Sequence, residues 1–195
     1  MVNPKPRTLH FAIVQQGPLW IVFERNMVIE LRQELLISSK TIDGCGTNVQ
    51  IKNGDGLTMQ YNVIIHGICI KKIMPKDGGM IRDSYNHFGL RTRSDSDAIS
   101  LLGVSNIWID HVSLSNFINN VIDIIKGSTT VAISNCHMTK HNDPKLRKPT
   151  KFLSTPISQP VKVSLMNSIS MFIQHGKIAQ LQGGRDVGND REEFD

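Results

Sequence analysis

Apolar and polar positions alternate in short runs along most of this chain, and the runs recur. "LWIVF" occupies Leu19 to Phe23, "KTIDG" Lys40 to Gly44, "NVIIHGICI" begins at Asn62, "NIWIDHVSL" at Asn106 and "TVAISNCHM" at Thr130. Aligning Trp20, Ile42, Val63, Ile107 and Val131 gives steps of 22, 21, 44 and 24, and 44 is two steps of 22. β-Branched residues fill alternate positions (Val63 and Ile65, Ile107 and Ile109, Val131 and Ile133), as a half-buried strand requires. Asn, Gly, Ser and Asp punctuate the runs as turn residues. Helical periodicity is poor almost everywhere.

A period near 22 lies in the range of solenoids. The reading is an all-β, right-handed parallel β-helix, in which stacked coils bury a continuous core that one coil cannot bury alone. Val63, Ile65, Ile107, Ile109, Val131 and Ile133 should point inward, and a β-sandwich with irregular spacing is the alternative. "VKVSLMNSI", Val161 to Ile169, reads as one more coil: Val163, Leu165 and Asn167 echo Val131, Ile133 and Asn135, with a step of 32. The organisation expected is coils over 1–143, then a divergent tail over 144–195 that ends in a frayed polar segment.

Composition narrows the class. The chain has 195 residues, 39% of them hydrophobic and 20% charged, which suits one globular domain. With 22 Lys+Arg against 17 Asp+Glu, the formal charge is +5. Such a balance suits an acidic partner, though a solvated basic surface is the plainer reading. No nucleic-acid motif is present. No apolar run reaches a membrane-spanning length, and "MVNPKPRTLHF" lacks the apolar core of a signal peptide. Cys45, Cys69 and Cys136 have no CxxC spacing, so they read as small buried hydrophobes rather than a zinc site or a redox pair.

The candidate chemistry is carboxylate chemistry. Asp95 and Asp97, two apart, would share one face of a strand, and Asp123 follows 26 residues after Asp97, near one coil step. Stacking could gather all three into a hard-oxygen site suited to Ca²⁺, or each could end a strand and face water. Asp110 with His111 could act as an acid/base pair; without a nucleophile at a useful spacing, a bracing hydrogen bond is favoured. Asn116 and Asn135 suggest a stacked amide ladder at a corner. His137 and His141 have only Asp143 nearby as an acidic third ligand, which argues against zinc.

These residues also carry a resemblance. "NPKPRTLHFAIVQQGPLWIVF", "KTIDGCG", "NVIIHG", "GGMIRDSYNHFGLRTRSDSDAI", "NIWIDHVSLSN" and "IKGSTTVAISNCHMTKHND" resemble, in order, plant pectate lyases of polysaccharide lyase family 1, which include pectate-lyase-like pollen allergens. The resemblance runs from about Asn3 to Asp143. It implies a secreted, cell-wall enzyme, expected to be a monomer. Such an enzyme cleaves polygalacturonate by β-elimination, with Ca²⁺ acidifying the C5 proton and an arginine removing it. The family's "DGDAI" corresponds to Asp95 through Ile99, with Ser96 replacing glycine. Its "DGLVD" corresponds to Asn119 through Asp123, with Asn119 replacing the first acid. The implied metal ligands are therefore Asp95, Asp97, Asn119 and Asp123, one charge short. Beyond Asp143 the pattern departs: Lys140 and Lys145 are near the family's catalytic lysine position in sequence only, and are read as substrate-binding candidates. No segment among these residues resembles the arginine-bearing one, so no catalytic base is assigned. The expectation is an incomplete or altered member with impaired cleavage, or an inactive β-helix that binds pectate or calcium.

Overall fold

The computed structural model describes residues 4–94, 97–117, 121–125, 127–139, 163–166 and 170–172. One short helix, α1 (Leu9–Ile13), is followed by β1 (Leu19–Val22), β2 (Met27–Ile29), β3 (Leu35–Ile37), β4 (Lys40–Asp43) and β5 (Val49–Lys52). Then come β6 (Leu57–His66), β7 (Cys69–Lys71), β8 (Gly79–Arg82), β9 (Phe88–Arg91), β10 (Ile99–Asp110) and β11 (Ser113–Ser115). The last are β12 (Ile122–Ile125), β13 (Thr129–Ser134), β14 (His137–Thr139), β15 (Val163–Met166) and β16 (Ser170–Phe172). Helix α1 begins where the Thr8 side chain accepts the Phe11 N–H, and it buries Leu9 and Ile13.

Parallel strands stack rung on rung. One sheet runs β1-β4-β6-β10-β13-β15, and a second runs β16-β14-β11-β7-β5-β2. The first halves of β6 and β10 pair with β3 and β12, and form a third face. The path from the first half of β10 to its second half is therefore a corner, and register shifts there between Leu101 and Ser105. This is the expected parallel β-helix. Among the described residues, only β8 and β9 pair antiparallel, as a hairpin off the stack.

The core follows from alternation. Ile42, Ile65, Ile109 and Ile133 stand in one register column and are at most 1% exposed. Burying each such side chain contributes about 1.5–3 kcal/mol. All six side chains expected to point inward do so. Trp20 does not belong with them. It pairs with Thr41 and is 69% exposed, because the true column is Leu19, Lys40, Val63, Ile107, Val131 and Val163. Lys40 therefore sits at an inward position, between β1 and β6. Its ammonium donates to the carbonyls of Gly17 at 2.8 Å and Ser38 at 3.2 Å.

Corners are built from left-handed residues in columns. Ser39, Asn62, Asn106 and Thr130 hold φ of 52°, 52°, 57° and 53°, each one residue before a register-matched strand position. Asparagine tolerates this region better than most residues. The Asn106 amide donates to Asn62 Oδ1 at 3.0 Å, so an amide ladder does brace a corner. Asn116 and Asn135 do not form it. Both have positive φ, but Asn116 follows β11 and Asn135 follows β13, on different corners. Among the described residues, no helix is long and apolar enough to cross a membrane.

Candidate functional site

Strand β10 carries polar groups at both of its ends. At its entry, Asp97 lies in the connection two residues before Ile99, outside any strand, so strict alternation does not orient it. It is buried all the same. Gly56 explains how the neighbouring rung approaches: a Cβ there would sit 2.3 Å from the Asp97 carbonyl oxygen. Asp123 lies in β12, flanked by the core residues Ile122 and Ile124, and turns to the outer face, where it too is buried. It is in register with Ser100, which is in register with Thr58.

Ile99 pairs with Ile122, so Asp97 and Asp123 occupy neighbouring rungs at the same end of the sheet, offset by three positions. The Thr58 hydroxyl donates to Glu34 Oε1. Arg91 Nε lies 3.7 Å from Glu34 Oε2. The column is thus made of oxygen donors: Asp123, Ser100 and Thr58, with Glu34 beside it. That donor chemistry suits a hard cation such as Ca²⁺ and offers no sulfur or imidazole to a softer one. Asp95, Asn119, Lys140 and Lys145 lie outside the described residues.

At the exit of the same sheet, Asp43, His66, Asp110 and Ser134 stand in one register column. His66 Nδ1 is 3.1 Å from Asp43 Oδ1, and its Nε2 is 3.4 Å from Asp110 Oδ2. His111 Nδ1 lies 2.8 Å from that same Asp110 oxygen. The other oxygen accepts from Ser134 Oγ at 2.6 Å and Asn135 Nδ2 at 3.1 Å. The Trp108 indole N–H donates to Ser134 Oγ at 2.9 Å. The rings of His66 and His111 meet edge to face, 5.3 Å apart. Gly44 keeps these rungs close, since a Cβ there would lie 2.3 Å from the Gly67 carbonyl oxygen.

Electrostatics follow from these contacts. The Cys45 backbone N–H, then the His66 side chain, hold the Asp43 carboxyl below its ordinary value. For Asp110, burial pushes the carboxyl up, but the hydrogen bonds from Ser134, His111 and Asn135 outweigh it and the net direction is down. Desolvation, followed by the charge of Asp43, pushes the Cys45 thiol up. Asp110 with His111 is thus one part of a longer ladder, consistent with a bracing role. The expectation that the cysteines are buried holds for Cys136, whereas Cys69 is half-buried and Cys45 exposed; all three are free thiols.

Sequence reasoning passed over Asp43, Cys45 and His66. The signal was present: Asp43 to His66 is 23 residues and His66 to Asp110 is 44. Setting Ile42 against Val63 hides it, because that register places Asp43 against Ile64.

Comparison with known proteins agrees with this architecture. No protein-family model matches the chain. It is 57% identical over 146 residues to a pectate lyase of Lilium longiflorum, which covers 73% of this chain and 34% of the relative. It is 55% identical over 146 residues to probable pectate lyase 7 of Arabidopsis thaliana, with 73% and 31% covered. Probable pectate lyase P59 of Solanum lycopersicum is 48% identical over 166 residues, covering 84% and 36%. Among solved structures, Jun a 1, the major allergen from cedar pollen, superposes with a TM-score of 0.69 at 38% identity, covering 72% of this chain and 42% of that one. The chain spans about a third of the length of the curated relatives it matches. Sequence identity and the shared coiled fold together make this chain a relative of the plant pectate lyases over the residues that match.

Proposed function

We propose that this chain is a pectate-lyase-like protein that binds polygalacturonate through Ca²⁺, with the family's eliminative cleavage impaired. The observation that carries the reading is the pair of buried carboxylates, Asp97 and Asp123, on neighbouring rungs beside the Ser100 and Thr58 hydroxyls. Asp97 and Asp123 would hold the ion, with Asp95 and Asn119 as the remaining ligands. When bound, Ca²⁺ would engage the substrate carboxylate and acidify the proton on C5 of the uronate.

The protein's own contribution is position. Rung stacking sets the two acids at a fixed offset, and the close approach of Gly56 to the Asp97 backbone locks the entry of β10. Elimination also needs a base within hydrogen-bond reach of C5. The resemblance assigns no residue of this sequence to the family's arginine segment, and the proposal of impaired cleavage rests on that. The second reading is a β-helix that binds pectate or calcium and does not cleave. A secreted, cell-wall location and a monomeric state belong to the same proposal.

The test is a paired assay on the purified chain. Calcium-dependent retention on polygalacturonate, without growth of unsaturated-product absorbance, is the expected result. Chelator-sensitive growth of that absorbance would overturn the impairment. Equal retention with and without Ca²⁺ would overturn the calcium reading.

A further inference from the structure

The exit ladder contains an arrangement that pectate binding does not use. Asp43, Cys45 and His66 present one carboxylate oxygen, one sulfur and one imidazole nitrogen, all within 4.8 Å of one another. Cys45 Sγ is 3.5 Å from His66 Nδ1, and Asp43 Oδ1 is 3.1 Å from the same nitrogen. In a tetrahedral zinc site, bonds of about 2.0–2.3 Å place N···S edges at about 3.6 Å and N···O edges at about 3.3 Å. The two measured edges are within a few tenths of an ångström of these.

A second, independent feature points the same way. The far nitrogen of His66, Nε2, faces Asp110 Oδ2 at 3.4 Å, and Asp110 is itself pinned by Ser134, Asn135 and His111. A carboxylate behind a histidine is the support that metal-ligating histidines use: it takes the N–H on one side and turns the lone pair of the other nitrogen toward the ion. Here that lone pair is Nδ1, which faces both Asp43 and Cys45.

We infer that Asp43, Cys45 and His66 form a binding site for a borderline-soft divalent transition-metal ion of the zinc class. Two anionic ligands, a carboxylate and a thiolate, balance a 2+ charge around a neutral imidazole. Sulfur selects against calcium, which takes six to eight oxygens. Cys45 is exposed while Asp43 and His66 are half-buried, so the ion enters from solvent, which also fills the fourth position. His66, Asp110 and His111 also lie within ligand range of one another. They are the weaker choice, because both Asp110 oxygens are engaged by three side chains and the set offers no sulfur, although Asp43 Oδ1 also accepts the Cys45 backbone N–H at 2.9 Å. The site joins β4 to β6, so a bound ion cross-links two coils and stabilises the stack by mass action. This inference does not depend on the calcium reading, since the two sites share no residue.

The experiment uses the full chain with Co²⁺ alone as the spectroscopic probe and Zn²⁺ as competitor. The expected result is a thiolate-to-cobalt charge-transfer band that Zn²⁺ bleaches and an excess of Ca²⁺ does not. Cys45→Ser, an exposed and nearly isosteric change, should abolish the band and weaken Zn²⁺ binding by at least about tenfold. Cys69→Ser and Cys136→Ser should keep it. Zn²⁺ should raise the unfolding temperature of the parent chain and not of Cys45→Ser. No band in the parent chain, a band that survives in Cys45→Ser, or bleaching by Ca²⁺ would each overturn the assignment.

Discussion

The two ends of β10 are built by one rule and end in different chemistry. At the exit, register stacks Asp43, His66, Asp110 and Ser134, and the groups hydrogen-bond to one another along the column. At the entry, register stacks Thr58, Ser100 and Asp123 beside Asp97, and the donors are oxygens. A parallel solenoid repeats whatever its sequence places at one rung position. A column that mixes donors and acceptors braces itself by hydrogen bonds, whereas a column of acids and hydroxyls offers the oxygen ligands that the proposed calcium reading needs. The difference teaches that burial of an aspartate says little until its column is known. Asp110 and Asp123 are similarly buried, at 6% and 8% exposed, yet are assigned opposite roles.

The sharpest way to break this contrast is to remove one acid from each end. Asp110→Ala leaves the buried Ser134 hydroxyl, and the Asn135, His66 and His111 side chains around it, without their shared acceptor and should cost about 3 kcal/mol of unfolding free energy, read by denaturant titration. Asp123→Asn should change stability by less than about 1 kcal/mol and weaken calcium-dependent pectate retention by more than about tenfold. Equal stability losses at the two ends would erase the distinction.

Much of the fold was legible because burial in a solenoid repeats. The pairs Val63/Ile65, Ile107/Ile109 and Val131/Ile133 announce inward faces by alternation alone, and the same echo located Val163 against Val131. The first coils were harder. Lys40 occupies an inward register position, its ammonium held by backbone carbonyls, and Trp20 an outward one, so the apolar alternation that marks the later coils is broken there. That slip of two residues concealed the His66 column. At the entry of β10, the aspartate spacing named Asp97 and Asp123 as neighbours one coil apart, and register places them on neighbouring rungs. The connection that frees Asp97 from strand alternation leaves no mark in periodicity.

Acidification should separate the ends by a smaller margin. Asp110 is held below its ordinary value in the folded chain. A carboxyl depressed on folding contributes stability that is fully present above the unfolded value, about pH 4, and is lost as pH falls through the folded value. With chelator present, the denaturant midpoint of the parent chain should fall as pH drops from about 5 toward 3. Asp110→Asn, which cannot ionise, should start lower and show a flatter curve. A parent profile that is flat or rises on acidification would contradict the hydrogen-bonded brace.

The smallest expected effect is also the most specific to the entry site. Asn119 stands where the resembling family carries an acid, and calcium affinity rises with the number of charged ligands. Asn119→Asp should therefore tighten Ca²⁺ binding several-fold, measured by calorimetry on the full chain. The same change should leave cobalt binding at Cys45 untouched, because Asn119 is not among the three ligands proposed there. An unchanged calcium affinity would remove Asn119 from the ligand set. A change at both sites would mean that the two ends of β10 are coupled, and the contrast drawn between them would have to become a single network.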